Sequence, residues 1–128
     1  MAPSSHKLLI SRLRAIRGAS VSIFDDSSLP RLRDALVLFR HSSVVLGTHG
    51  AGLANVAVCA RGTAVLEILP ATGVDALPTC YARLARALGL RYIGMVPRVA
   101  PYHDGEVQLN VAETNVLAAA VQESLSYT

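Results

Sequence analysis

Hydrophobic positions along this chain follow two alternating rhythms. The runs Lys7–Ile10, Ser20–Phe24, Ser43–Gly47, Ala64–Leu69 and Arg91–Val96 are short, apolar and bounded by Gly, Pro, Asp or Ser, which predicts strands. Between them the spacing turns helical. Leu32, Ala35, Leu36 and Phe39 form one stripe behind Ser28 and Pro30, and Leu77, Tyr81, Leu84 and Leu88 form a second, entered at Asp75 and closed by Gly89. A last helix is expected with Asn110 as its cap, Glu113 in its first turn and Leu117, Val121 and Leu125 on its buried side. Ahead of it, Gly105–Leu109 reads either as a short strand or as an extended loop.

Alternating strands and helices imply an α/β fold: a Rossmann-like, three-layer domain with a mostly parallel sheet of about five strands, joined by right-handed crossovers. Ligands of such sheets sit at the carboxyl ends of the strands, near the point where the strand order reverses. One spacing conflicts with this scheme. Only about eight residues separate Ile10 from the next strand, fewer than the dozen or so a parallel crossover needs, so the first strand is misplaced or a helix is missing.

With 128 residues the chain forms a single domain, residues 1–128, large enough to bury a core. Hydrophobic residues at 52% against 16% charged exclude disorder and leave an apolar surface suited to meeting another domain. The net charge of +3 is modest, its basic residues cluster at Lys7, Arg12, Arg14 and Arg17, and aromatics are 5%, which argues against a nucleic-acid reader. No apolar run is long enough to span a membrane and no signal-peptide core is present. Cys59 and Cys80 fall on helical patterns without metal or redox spacing and read as buried thiols, with a disulfide open to them in an oxidising compartment.

The candidate chemistry lies where Ser43–Thr48 runs into His49-Gly50-Ala51-Gly52-Leu53, a strand opening through a glycine pair into a helix. Glycine lets backbone approach a ligand, and free amides at a helix start attract phosphate. The dinucleotide fingerprint is incomplete, since Asn55 stands in place of the third glycine and Glu67 comes 15 residues after Gly52. The alternative is a tight turn that needs small residues for packing. Glu67 interrupts an otherwise apolar strand, and a buried carboxylate needs a partner: ribose hydroxyls or an arginine.

The run from Leu36 through His49-Gly50-Ala51-Gly52-Leu53-Ala54-Asn55, followed by Gly62-Thr63-Ala64-Val65-Leu66-Glu67-Ile68-Leu69-Pro70, resembles glycosyltransferase family 61. That family includes plant cell-wall xylosyl- and arabinosyltransferases and animal O-linked N-acetylglucosaminyltransferases. The likeness covers about residues 32–97, with Arg91-Tyr92 similar to the family's tyrosine-bearing strand and the N-terminal part shortened. It implies the donor-binding half of a GT-B glycosyltransferase, inverting, with a nucleotide-sugar donor, UDP-linked, and a glycan or glycoprotein hydroxyl as acceptor. By that resemblance the acceptor domain lies outside this sequence, and relatives sit in the Golgi or endoplasmic reticulum lumen behind an N-terminal anchor. The backbone of Gly50, Ala51, Gly52 and Leu53 would meet the diphosphate, with His49 beside it as the candidate catalytic base and a base from the acceptor domain as the equal alternative. Glu67 would hold the ribose, and Arg12 and Arg17 would neutralise the leaving diphosphate. No cofactor and no metal ligand set is implied.

Two other readings stand beside it. A non-catalytic α/β module would act through its apolar face, in keeping with Ala35 where the family usually carries glutamine, and a Rossmann-like domain could bind another phosphorylated ligand. Asp25-Asp26 reads as a turn or helix entry before a metal-binding pair, and His6, His41 and His103 as surface or capping residues.

Overall fold

The computed structural model describes residues 1–25, 31–70, 77–98 and 106–127. The element order is α1 (Pro3–Arg14), α2 (Leu32–Arg40), β1 (Val44–Thr48), a 3-10 helix (Ala51–Val58), β2 (Ala64–Ile68), α3 (Cys80–Leu88), β3 (Arg91–Met95) and α4 (Val111–Leu125). The strands form one sheet in the order β1-β2-β3, with both pairings parallel. The α/β class and the parallel sheet are therefore as expected. The expected strand count is not: three strands stand among the described residues, and because their order is sequential no reversal point falls between them.

β2 is buried along its whole length, which explains its unbroken apolar run: a central parallel strand is covered on both faces. Alternation along it sorts the core into two halves. Ala64, Leu66 and Ile68 face Leu9 and Leu13 of α1 and Leu117 and Val121 of α4. Val65 faces the other way, toward Phe39 of α2, Leu53 and Val56 of the 3-10 helix and Ala85 of α3. Glu67 shares that second face by parity.

Two strand assignments fail. Lys7–Ile10 lies inside α1, where Pro3 occupies the first turn and Ser5, Leu9 and Leu13 form a buried stripe four residues apart. A short apolar run does not distinguish strand from helix by itself, and the crossover too short for a parallel pair was the signal of the error. The Ser5 hydroxyl accepts from the Leu109 amide at 2.9 Å and donates to the Leu109 carbonyl at 3.3 Å, docking α1 onto the segment before α4. Ser20–Phe24 belongs to no strand or helix; Val21 packs on the α1/α4 side and Phe24 stacks edge-on against Phe39 at 5.2 Å.

The other elements follow their end signals. Asn110 and Glu113 form a reciprocal capping box at the start of α4, each side chain accepting from the other's backbone amide. α3 ends at Gly89 in the left-handed region (φ 70°). Leu125 is half-buried, and residues 106–109 run as an extended loop; Asp26, Asp75, His103 and Gly105 lie outside the described residues. Both cysteines are free: Cys59 is buried, its thiol donating to the Phe39 carbonyl at 3.3 Å, whereas Cys80 is exposed at the first residue of α3, contrary to the expected pair of buried thiols. Burial pushes the Cys59 thiol up, with the nearby Arg40 charge opposing. Among the described residues no helix is long and apolar enough to cross a membrane.

Candidate active site

His49 follows the last residue of β1, and its amide donates to the Ile68 carbonyl at 2.9 Å, so the sheet ladder carries one step past the strand. Glu67 is the fourth of five residues in β2. Register places Gly47 beside Glu67, which brings the histidine and the carboxylate to one edge. His49 Nδ1 lies 2.5 Å from Glu67 Oε1. The second carboxylate oxygen accepts the Tyr92 hydroxyl of β3 at 2.5 Å.

Glu67 thus meets a histidine and a phenol, and its side chain has no exposure to solvent. An ionised carboxylate only accepts, so the hydrogen-bond network assigns the proton to Nδ1 and leaves Nε2 of a neutral ring with its lone pair. His49 keeps 26% of its side chain exposed. Its ring leans against Tyr81 of α3 at 5.5 Å, and the Tyr81 hydroxyl donates to the Gly50 carbonyl at 2.6 Å. Burial, followed by the fields of Cys80 and Glu67, pushes the Tyr81 phenol up. Burial and then the Glu67 hydrogen bond push Tyr92 up further.

The glycines behave differently from one another. A Cβ at Gly47 would come 3.1 Å from Leu53 Cδ2, so that glycine serves packing. At Gly50 and Gly52 a Cβ would meet nothing within 4 Å. Gly50 is extended (φ 161°) and Gly52 lies outside the positive-φ set, so backbone conformation does not require glycine at either position. Packing does not explain these two residues; the space beside them is open. Both line a groove of about 1150 Å³ along the free edge of β1, shared with Leu13, Gly18 and the 19–25 segment. Asn55 donates its amide to the Gly52 carbonyl at 3.0 Å, and Leu53 N–H together with Tyr81 occupies the Gly50 carbonyl. The first amides of the 3-10 helix precede any intrahelical acceptor.

The structure therefore brings His49, Gly50, Ala51, Gly52 and Glu67 together. Leu53 is a core residue whose side chain packs among Phe39, Val56 and Val65, leaving only its backbone at the turn. Arg12 is exposed on α1 and Arg17 on the turn after it, and among the described residues neither makes a side-chain hydrogen bond or ion pair. Among the described residues no arginine pairs with Glu67, whose partners are His49 and Tyr92. Sequence reasoning missed Tyr81 and Tyr92 as site residues: Tyr81 sits in a helical stripe that reads as core, and Tyr92 is paired with Val65, not with Glu67. Among the described residues no group of three or more His, Cys, Asp or Glu is placed to hold a metal ion.

In class this is a parallel α/β domain whose glycine-bearing strand end lies beside a histidine–carboxylate pair. The family model described as Glycosyltransferase 61 matches residues 4–66, from the first turns of α1 into β2. Over that segment, just under half of the chain, the sequence is similar to glycosyltransferase family 61. The matched region reaches further toward the N-terminus than residue 32 and takes in Arg12, Arg17, His49 and the three residues after it; it stops one residue short of Glu67. No curated protein matches the chain.

Proposed function

We propose that this chain is the nucleotide-sugar-binding half of an inverting glycosyltransferase that takes a UDP-linked donor and transfers the sugar to a hydroxyl of a glycan or glycoprotein. The observation that carries the reading is the pair of glycines at residues 50 and 52, which neither packing nor backbone conformation requires and which open onto a groove with ample room for a nucleotide diphosphate. The diphosphate is held against the free amides of Ala51 and Gly52 at the helix start. Arg12 and Arg17 are sequence neighbours of the groove-lining Leu13 and Gly18 but do not themselves line the groove, so their part in neutralising the diphosphate rests on the family resemblance. The acceptor hydroxyl attacks the anomeric carbon, the carbon–oxygen bond to the diphosphate breaks, and the hydroxyl proton passes to His49 Nε2. Glu67 then faces an imidazolium, so its carboxylate stabilises the charge that develops during transfer. With both its oxygens held by His49 and Tyr92, Glu67 serves the histidine in this scheme and not a ribose.

The test is calorimetric titration of the 128-residue chain with UDP, ADP and inorganic phosphate, and of Gly52→Ala with UDP. UDP binding tighter than ADP and weakened in Gly52→Ala supports the reading. A folded chain that ignores UDP refutes it. Equal binding of all three ligands would favour a general phosphate site.

A further inference from the structure

The pairing that begins at His49 runs one residue beyond Glu67. Register sets Tyr92 opposite Val65 and Gly94 opposite Glu67, all on the face toward α3. To reach Glu67 the tyrosine ring must advance two residues along the sheet, about 7 Å. It does so across Gly94, where a Cβ would stand 3.1 Å from the Tyr92 hydroxyl oxygen and 3.0 Å from Leu69 Cδ1. Gly94 is not in the positive-φ set, so its missing side chain serves the route of that ring.

We propose that Tyr92 is a positioning residue of this site, whose hydroxyl, led past Gly94 onto Glu67 Oε2, fixes the carboxylate against His49 Nδ1 and sets the pH at which His49 Nε2 is free to accept a proton. The inference rests on the reading of His49 as the proton acceptor. A buried carboxylate with two oxygens and one partner would be left half satisfied. The phenol fills the second place without adding a charge. Burial and Glu67 hold its proton on, so it donates throughout the range in which a histidine titrates. Donation draws electron density from the carboxylate and weakens its pull on the imidazolium; removing it makes Glu67 a stronger partner for the charged ring. The titratable groups facing this unit are Glu67 from β2, Tyr92 from β3, and Tyr81 and Cys80 from α3.

The experiment follows the four histidines of the 128-residue chain by NMR against pH, with His49→Gln identifying the His49 signal. Tyr92→Phe should raise the His49 midpoint by about one pH unit, the size of shift a lost hydrogen bond to a charged group produces, and leave His6 and His41 unmoved. The shift should persist in a Cys80→Ala background, which removes the neighbouring thiol. A folded Tyr92→Phe with an unmoved His49 midpoint overturns the proposal. If that variant does not fold, Glu67→Gln decides: labelled at the phenol carbon, Tyr92 should ionise at lower pH than in the parent and His49 should lose its second proton earlier, and unchanged midpoints overturn the coupling. UDP is absent from these titrations. Failure of UDP binding alone would therefore remove the donor reading while leaving the coupling measured, and an unmoved midpoint would do the reverse.

Discussion

Replacing Gly52 by alanine separates a residue kept for the fold from one kept for a ligand. The position lies in the 3-10 helix, half-buried, outside the positive-φ set, and the added methyl would meet nothing within 4 Å. Alanine restricts the unfolded chain more than glycine does, so the folded state should gain about 0.4–1 kcal/mol. For a domain of this size that is a rise in Tm of about 2–4 °C. UDP at 100 times its dissociation constant should stabilise the parent by about 2.7 kcal/mol. If the methyl holds the diphosphate off the amides and weakens binding tenfold, the same UDP concentration gives the variant about 1.4 kcal/mol. Thermal unfolding with and without UDP reads both effects, and they run in opposite directions. A lower Tm in the unliganded variant would show that the fold needs this glycine. An unchanged UDP increment would show that the diphosphate does not approach this backbone.

Three further outcomes follow from the same geometry. Glu67→Ala removes a fully buried carboxylate with two partners and should cost about 2–4 kcal/mol in urea unfolding, whereas a loss below about 0.5 kcal/mol would mean that the two hydrogen bonds do not persist in solution. Because the folded Tyr92 phenol holds its proton above the usual value near 10, the unfolded chain releases that proton first as pH rises; stability should fall above about pH 10, and this component should be missing in Tyr92→Phe when alkaline unfolding is followed by circular dichroism. Asn110→Ala breaks the capping box of α4 and should lower stability by about 1 kcal/mol, with amide exchange accelerated first at Glu113 and Thr114.

Much of the architecture was written in the residue pattern, and the failures have local causes. β1, β2 and β3 lie within a residue or two of the apolar runs that predict them; burial explains this for the central strand β2, while the half-buried edge strands β1 and β3 are marked by short β-branched and aromatic runs between polar or glycine boundaries. The Asn110 cap and the Gly89 stop carry their own chemistry and were readable as single residues. Lys7–Ile10 was not, since four apolar-biased residues fit a helix stripe as well as a strand; the decisive stripe, Ser5, Leu9 and Leu13, includes a serine. Ser20–Phe24 alternates as a strand would, yet it belongs to no strand, and alternation alone makes no sheet. At the site, His49 and Glu67 stood out by residue type. That they touch depends on register, which no spacing along the chain discloses. The roles of Tyr81 and Tyr92 depend on where a ring lies after packing, and Gly94 gains its meaning only once that ring is in place.

The placement of Glu67 on β2 also bears on how the site can fail. A loop-borne acid can detach by local opening while the rest of the molecule stays folded, but β2 is the central strand, hydrogen-bonded on both sides and buried at every residue. Freeing that carboxylate means parting the sheet, an event of the same free energy as global unfolding. The histidine's partner thus sits in the best-protected strand of the sheet, and the mobile half of the pair is the His49 ring, 26% exposed beyond the end of β1.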